Sequence, residues 1–311
     1  MSDLILHQYP ESPFSEKIRS LLGYKGLAYR SVTIPVIMPK PDLMPLTGGY
    51  RRTPVMQMGA DVYCDSALIC QVIDRIAPDK SIYPAASLAM SIAAAQWMDS
   101  VFFPICVSMA FQPAALATNP LFQDEAAAAA FMADRAKLAE GGRGLLMDLA
   151  QAKPQFLAMM ENLDRQLQER DFLFGEQPTI ADFSAYHQCW FVHQIEAIRD
   201  VFAPFSHVLR WFDSMRNFGH GRPTEMQGSE ALNIARDAEP ATLSATSTTE
   251  HDQLAIGDQV EVVPTDYGLQ PVRGSLLMSS LDELVIHRQD PQLGALAVHF
   301  PRLGFQISKL D

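Results

Sequence analysis

The sequence is poor in cysteine. Of its 311 residues only Cys64, Cys70, Cys106 and Cys189 are cysteines, and none stands in a C-x-x-C pair. No Cys/His grouping has zinc-ligand spacing, so neither a structural metal nor a dithiol redox centre is expected, and buried reduced thiols in a cytoplasmic protein are. Positive charge is also scarce: 24 Lys and Arg against 36 Asp and Glu leave a net charge of −12. That balance argues against a nucleic-acid or anionic-membrane partner, which needs clustered cations. The N-terminus "MSDLILHQYP" has no basic segment followed by a long apolar one, so no signal peptide is expected. Long uncharged apolar runs are missing too. The nearest, Ala89–Phe111, carries Gln96, Asp99, Pro104 and three serines. Asp at a bilayer centre is costly, and the run reads as a buried helix of a soluble protein.

What is present changes texture along the chain. "LILHQ" reads as a short buried strand. Ser12 then suits a helix N-cap with Pro13 at the first position; Phe14, Ile18, Leu21 and Leu22 share a face, and Gly26 marks the end. "AYRSVTI" is a second strand. A proline-rich loop with room for one short helical turn leads to "TPVMQM" and "DVYC", a hairpin turning at Gly59-Ala60. A helix from Ser66 carries Leu68, Ile69, Val72, Ile73 and Ile76 on one stripe. Residues 1–80 thus predict a mixed four-stranded sheet with helices packed on it.

Residues 86–219 give only helix signals, among them Phe156, Met160, Leu163 and Leu167 at helical spacing and a Thr179–Asp182 capping box. Residues 220–253, ending in "PATLSATSTTEHDQ", read as a linker. Residues 254–311 show strand-like runs separated by Gly, Asp and Pro, which predicts a small five-stranded barrel-like domain.

Several positions carry candidate chemistry. Ser12 sits where a helix dipole and free amides favour an anion, including a thiolate brought by a ligand; capping alone also explains it. No base partner at suitable spacing makes Ser12 itself a nucleophile. Ser15, three residues on, reads as part of the same cap. Thr53-Pro54 opens a strand with a residue that lacks an amide donor. A cis bond there would turn the Thr53 main chain outward for a peptide ligand; a trans bond would simply end a loop, and spacing does not separate the two. Ser66, at a predicted helix start, can cap or bind a carboxylate, and Asp65 can pair with an ammonium or lie in a solvated turn. Arg51 and Arg52, with Lys40 upstream, are either solvated or hold a second carboxylate.

Taken together, "SPFSEKIRSLLGYKGL", "RRTPV" and "YCDSALI", followed by a helical domain containing "TIADFSAY", resemble the glutathione transferase family over about residues 3 to 217. The resemblance is to a bacterial Ser- or Cys-type member with an extra C-terminal β segment. It implies a thioredoxin-like domain, an all-α domain, a homodimer, glutathione as co-substrate, no metal, and thiolate attack on a small electrophile, as in detoxification. It places Ser12 at the catalytic position, the Thr53 main chain before a cis Pro54 on the cysteinyl part, Asp65 and Ser66 on the γ-glutamyl group, and Arg52 near the glycyl end. Tyr9 ranks behind Ser12 as a second catalytic candidate, because it does not fall cleanly on the family's tyrosine position. Asp65 is shorter than the usual Glu or Gln. Thr179 and Asp182 match the family's structural cap. The electrophile is expected near Trp97, Phe102 and Phe103. The alternative is a non-catalytic glutathione- or peptide-binding protein whose β segment recruits a partner; that segment, with seven acidic and four basic residues from Ala255 on, otherwise reads as a packing or dimer-stabilising appendage.

Overall fold

A computed structural model of the chain describes residues 3–142, 144–243 and 253–310. Strand β1 (Ile5–Gln8) is buried along its whole length. Helix α1 (Pro13–Lys25) follows, capped by Ser12 and ended by Gly26 in the left-handed conformation at φ +65°. Strand β2 (Ala28–Thr33) lies parallel to β1. The proline-rich loop carries the single short turn α2 (Met44–Thr47). The hairpin β3 (Val55–Met58) and β4 (Asp61–Cys64) turns at Gly59-Ala60 as expected, with β3 antiparallel to β1, and α3 (Ser66–Ile76) returns across the sheet. This is the expected thioredoxin-like β-α-β-β-β-α order.

The helical domain opens with α4 (Leu88–Trp97), which passes through a π turn at Met98–Phe102 into α5 (Phe103–Ala110). It continues through α6 (Pro113–Leu116), α7 (Glu125–Ala139), α8 (Leu149–Gln166), α9 (Ile180–His193) and α10 (Ser206–Arg216). The Phe156, Met160, Leu163 and Leu167 stripe is buried in the core. The Thr179–Asp182 capping box forms. One Asp182 carboxylate accepts from the amides of Thr179 and Leu173 at 2.8 Å, from the Thr179 hydroxyl at 3.0 Å and from Trp211 Nε1 at 3.1 Å.

Two expectations for the rest of the chain change. Residues 220–253 are not simply a linker. Arg222–Glu225 forms β5, parallel to β2, and Gly228–Arg236 forms α11, which buries Ala231 and Ala235. Most of the Ser/Thr-rich part, 244–252, lies outside the described residues. The five C-terminal strands are present: β6 (Gln259–Pro264), β7 (Val272–Ser279), β8 (Glu283–Asp290), β9 (Gly294–Pro301) and β10 (Phe305–Lys309). They do not form a free-standing unit. β9 runs parallel to β4, with Asp61 opposite Ala297 and Tyr63 opposite His299, so one sheet runs β10-β6-β7-β8-β9-β4-β3-β1-β2-β5. Without β9, β4 would be an open edge of unpaired backbone groups.

The sheet separates two cores. One face, with Leu6 and Met56, packs on α1, α3 and the helical domain. The other, with Ile5, Val32, Val55 and Val62, shares a core with Ala231 of α11 and with Leu276, Leu284, Ile286, Val298 and Phe300 of the C-terminal strands. Arg288 adds a polar tie, donating to the carbonyls of Pro45 and Leu46 at 3.0 and 3.3 Å.

The seam also holds an ionic cluster. His299 Nδ1 lies 2.7 Å from Glu283 Oε1, and its Nε2 lies 3.0 Å from Asp61 Oδ1. Tyr63 stacks on the imidazole at 4.4 Å, and Arg75 of α3 reaches Glu283 at 3.2 Å. Burial alone would lower the His299 pKa; the hydrogen bonds to Asp61 and Glu283 outweigh it and hold the imidazole above its ordinary value. The stabilisation from this raised pKa is fully present below the unfolded-chain value of about 6.5 and is lost as pH rises through the folded value. The gap in melting temperature between wild type and His299→Gln is therefore expected to be largest near pH 6 and to shrink towards pH 9. Thermal scans across that range check it; a gap that stays constant or grows would rule out a charged His299.

Candidate functional site

Ser12 caps α1: its hydroxyl accepts from the Ser15 amide at 3.2 Å and its carbonyl from the Glu16 amide at 3.0 Å. Its own amide donates to the Tyr9 carbonyl at 3.1 Å. Ser12 is 2% exposed. Tyr9 packs beside it, and burial raises the phenol pKa, with Arg135 and the Ser12 hydroxyl acting against that rise. The Lys40 amine stands behind the Thr53 side chain. Lys40 Nζ donates to Thr53 Oγ1 at 2.9 Å and to the Arg51 carbonyl at 3.1 Å. Burial, reinforced by the Arg135 and Arg51 cations, lowers the Lys40 pKa to about 7. Arg51 is committed to an ion pair with Asp134 of α7, which leaves it a structural role.

The Thr53-Pro54 bond is cis. Asp65, and not Ser66, caps α3. Its carboxylate accepts from the Ala67 amide at 2.9 Å, and its backbone takes a left-handed φ of +77°. Ser66 is the first helical residue; its hydroxyl accepts from Lys17 Nζ at 3.5 Å. Burial raises the Asp65 pKa, with the Arg52 charge and the Ala67 amide opposing the shift.

These two segments meet. Arg52, Thr53, Pro54, Asp65 and Ser66 line one cavity of about 60 Å³, together with Phe14 and Tyr50. Five of the seven residues predicted for the site converge there; Ser12 and Tyr9 do not line it. Three further groups, not predicted from sequence, complete the walls. Gln96, Asp99 and Ser100 come from the end of α4 and the π turn, Asp266 and Tyr267 from the β6–β7 turn, and Leu303, Gly304 and Phe305 from the β9–β10 turn. Asp99 had a signal, a carboxylate in an otherwise apolar helix. The two β turns carry no local mark.

Asp99 is the hub of a buried polar network between the domains. Its carboxylate takes the Lys17 ammonium at 2.6 Å, the Ser184 hydroxyl at 3.2 Å and His187 Nε2 at 2.9 Å. Burial would raise its pKa, but Lys17 and His187 outweigh that and hold the carboxyl well below the usual range. Arg52, by contrast, is engaged within the chain through its Nη groups: its guanidinium pairs with Asp266, donates to the Tyr267 carbonyl and stacks on the Tyr267 ring at 3.9 Å. The aromatics expected around an electrophile divide. Phe102 is core, stacked between Trp97 and Phe156; Phe103 packs on Phe14 and faces Tyr267; none of Trp97, Phe102 and Phe103 lines the cavity.

A thioredoxin-like sheet with a cis-proline, followed by an all-α domain and bearing this cavity at the start of β3 and the start of α3, defines the two-domain glutathione transferase architecture. Residues 6–81 match the glutathione S-transferase N-terminal domain and residues 123–214 the C-terminal domain. A GST-like protein from Pseudomonas syringae is 38% identical, with 100% of both chains covered and a TM-score of 0.84. The chain belongs to the glutathione transferase family. Poplar glutathione transferase F1, 15% identical, matches over 76% of this chain and 100% of its own with a TM-score of 0.53, a likeness of fold alone. So is that of a family member from Pseudomonas fluorescens solved with two glutathione bound, 15% identical over 70% of this chain and 89% of its own, TM-score 0.52. No curated protein matches the chain.

Proposed function

We propose that the protein is a cytoplasmic, homodimeric glutathione transferase that lowers the thiol pKa of bound glutathione and directs the thiolate at a small electrophile. The observation that carries this reading is the convergence of 52–54 and 65–66, with a cis Thr53-Pro54 bond, on one cavity. The Thr53 main chain holds the cysteinyl part, Asp65 and Ser66 hold the γ-glutamyl group, and Arg52 meets the glycyl carboxylate. The thiolate lies at the start of α1, where the helix dipole and the Ser12 hydroxyl lower its pKa. Phe14 and Tyr267 offer the electrophile an apolar wall. Met90, Trp97 and Val101 leave an exposed apolar face on α4 and the π turn, which suits a second copy of the chain.

Titration of the thiolate absorbance of bound glutathione, with conjugation of an activated aryl halide, tests the role of Ser12. Wild type is expected to lower the thiol pKa by at least about one unit from its free value near 8.5. Ser12→Ala is expected to lose roughly 100-fold in kcat/KM, the scale for one donor to a developing anion. A bound thiol that keeps its free pKa favours the second reading, a non-catalytic glutathione- or peptide-binding protein. The burial of Ser12 outside the cavity wall supports that alternative.

A further inference from the structure

The cavity is far too small for the ligand its walls suggest. Sites for small organic ligands span roughly 300–1,000 Å³, against about 60 Å³ here. One wall of that space is the seven-residue turn 265–271 between β6 and β7, through Asp266 and Tyr267. Asp266 places a carboxylate on Arg52, as a ligand carboxylate would. The Tyr267 ring covers the other side of the guanidinium.

Arg52 is not fully satisfied by this arrangement. Its Nε is buried and has no acceptor, although the side chain is only 10% exposed. A guanidinium presents five N–H donors in a fixed fork, and a carboxylate approaching side-on uses Nε together with one Nη. Asp266 engages only the two Nη groups. Its own side chain is 34% exposed, so the pair can be reached from solvent.

Beyond Arg52, the turn packs its Asp266–Tyr267 backbone against Gly142 and the Tyr267 ring near Phe103, and a few hydrogen bonds tie it down. The Gly268 amide donates to the Leu138 carbonyl of α7 at 2.7 Å, and the Thr265 amide to the Gly304 carbonyl at 3.0 Å. The flanking strands are fixed in the sheet, so an outward swing would be confined to the turn.

We propose that the Asp266–Tyr267 turn is a carboxylate-exchanged lid: Asp266 occupies Arg52 in the empty protein, and the carboxylate of the incoming ligand takes its place as the turn swings out. The inference rests on the glutathione reading of the site and gives the C-terminal β segment a part in it. The segment sets which ligands enter, because only one that carries a carboxylate replaces the contact that opening breaks. Apparent affinity is then reduced by the fraction of molecules that are closed.

Asp266→Asn and Asp266→Ala test the lid, with circular dichroism confirming the fold. Glutathione and glutathione amidated at its glycyl carboxyl are titrated calorimetrically into each protein, and hydrogen exchange is followed across 262–275 without ligand. Both variants are expected to bind glutathione about tenfold tighter than wild type. They should gain little for the amidated form and exchange the Gly268 amide faster. Unchanged glutathione affinity, or an equal gain for the amidated form, overturns the lid even if glutathione binds. Unchanged exchange at Gly268 overturns it with or without binding. Faster exchange in variants that, like wild type, bind no glutathione upholds the closing contact and refutes the glutathione reading.

Discussion

Deleting residues 254–311 is expected to unfold the thioredoxin-like domain, not merely to trim an appendage. The deletion strips β9 from β4 and uncovers Ile5, Val32, Val55 and Val62 of the sheet with Ile34, Leu43 and Leu46 of the adjoining loop and α2, all at most 3% exposed in the intact chain. At about 1.5–3 kcal/mol for each fully buried side chain, the loss is roughly 10–20 kcal/mol. A whole domain is stable by only about 5–15 kcal/mol. The α11 segment stays behind but covers this face only in part, through Met226, Ala231, Leu232, Ile234 and Ala235. The truncated chain should be insoluble, or soluble without near-ultraviolet dichroism and without a cooperative thermal transition. A cooperative transition within a few degrees of the wild-type one would show that the β segment is independent after all.

The second large effect is at Asp99. Lys17 is fully buried, and once the Asp99 carboxylate is removed its remaining partner is the Ser66 hydroxyl at 3.5 Å. Breaking one side of a buried ion pair costs about 3–5 kcal/mol because the other charge stays desolvated. Asp99→Ala should therefore lower the denaturant midpoint sharply. Lys17→Met with Asp99→Leu, which removes both charges, should recover much of the loss. Lys17 also reaches Ser66, so the double variant, though folded, should bind glutathione more weakly than wild type. Chemical denaturation of the three proteins checks the order; equal stability of wild type and Asp99→Ala would mean that the pair carries no such load.

Much of the first 219 residues was legible because their signals are local. The Ser12-Pro13 start, the Gly26 stop, the Gly59-Ala60 turn and the Thr179–Asp182 box each act within a few residues, and each appears as read. The errors lie where structure depends on distant partners. β5 is a four-residue strand with every side chain exposed, formed only because β2 offers an edge, so no apolar alternation announces it. The pairing of β4 with β9 joins residues more than 230 positions apart, and nothing in "DVYC" or "ALAVHF" names the other.

The site divides in the same way. Residues 52–54 and 65–66, which line one cavity, stood out because each belongs to a short motif. Asp266 and Tyr267 were missed because an ordinary Asp-Tyr-Gly turn becomes part of a site only when the sheet carries it to Arg52. The exchange of capping role between Ser66 and Asp65 is subtler. Both suit an N-cap, and the left-handed φ that decides for Asp65 is set by the tertiary path of the chain into α3.

Glutathione is proposed to occupy the cavity built by 52–54 and 65–66. Calorimetric titration of glutathione into wild type and into Asp65→Ala/Ser66→Ala tests it most directly. The prediction is saturable binding at one site per chain in wild type and a loss of affinity of at least about tenfold, or roughly 1.4 kcal/mol, in the variant. No saturable heat from wild type at millimolar glutathione, or equal binding by both proteins, would contradict it.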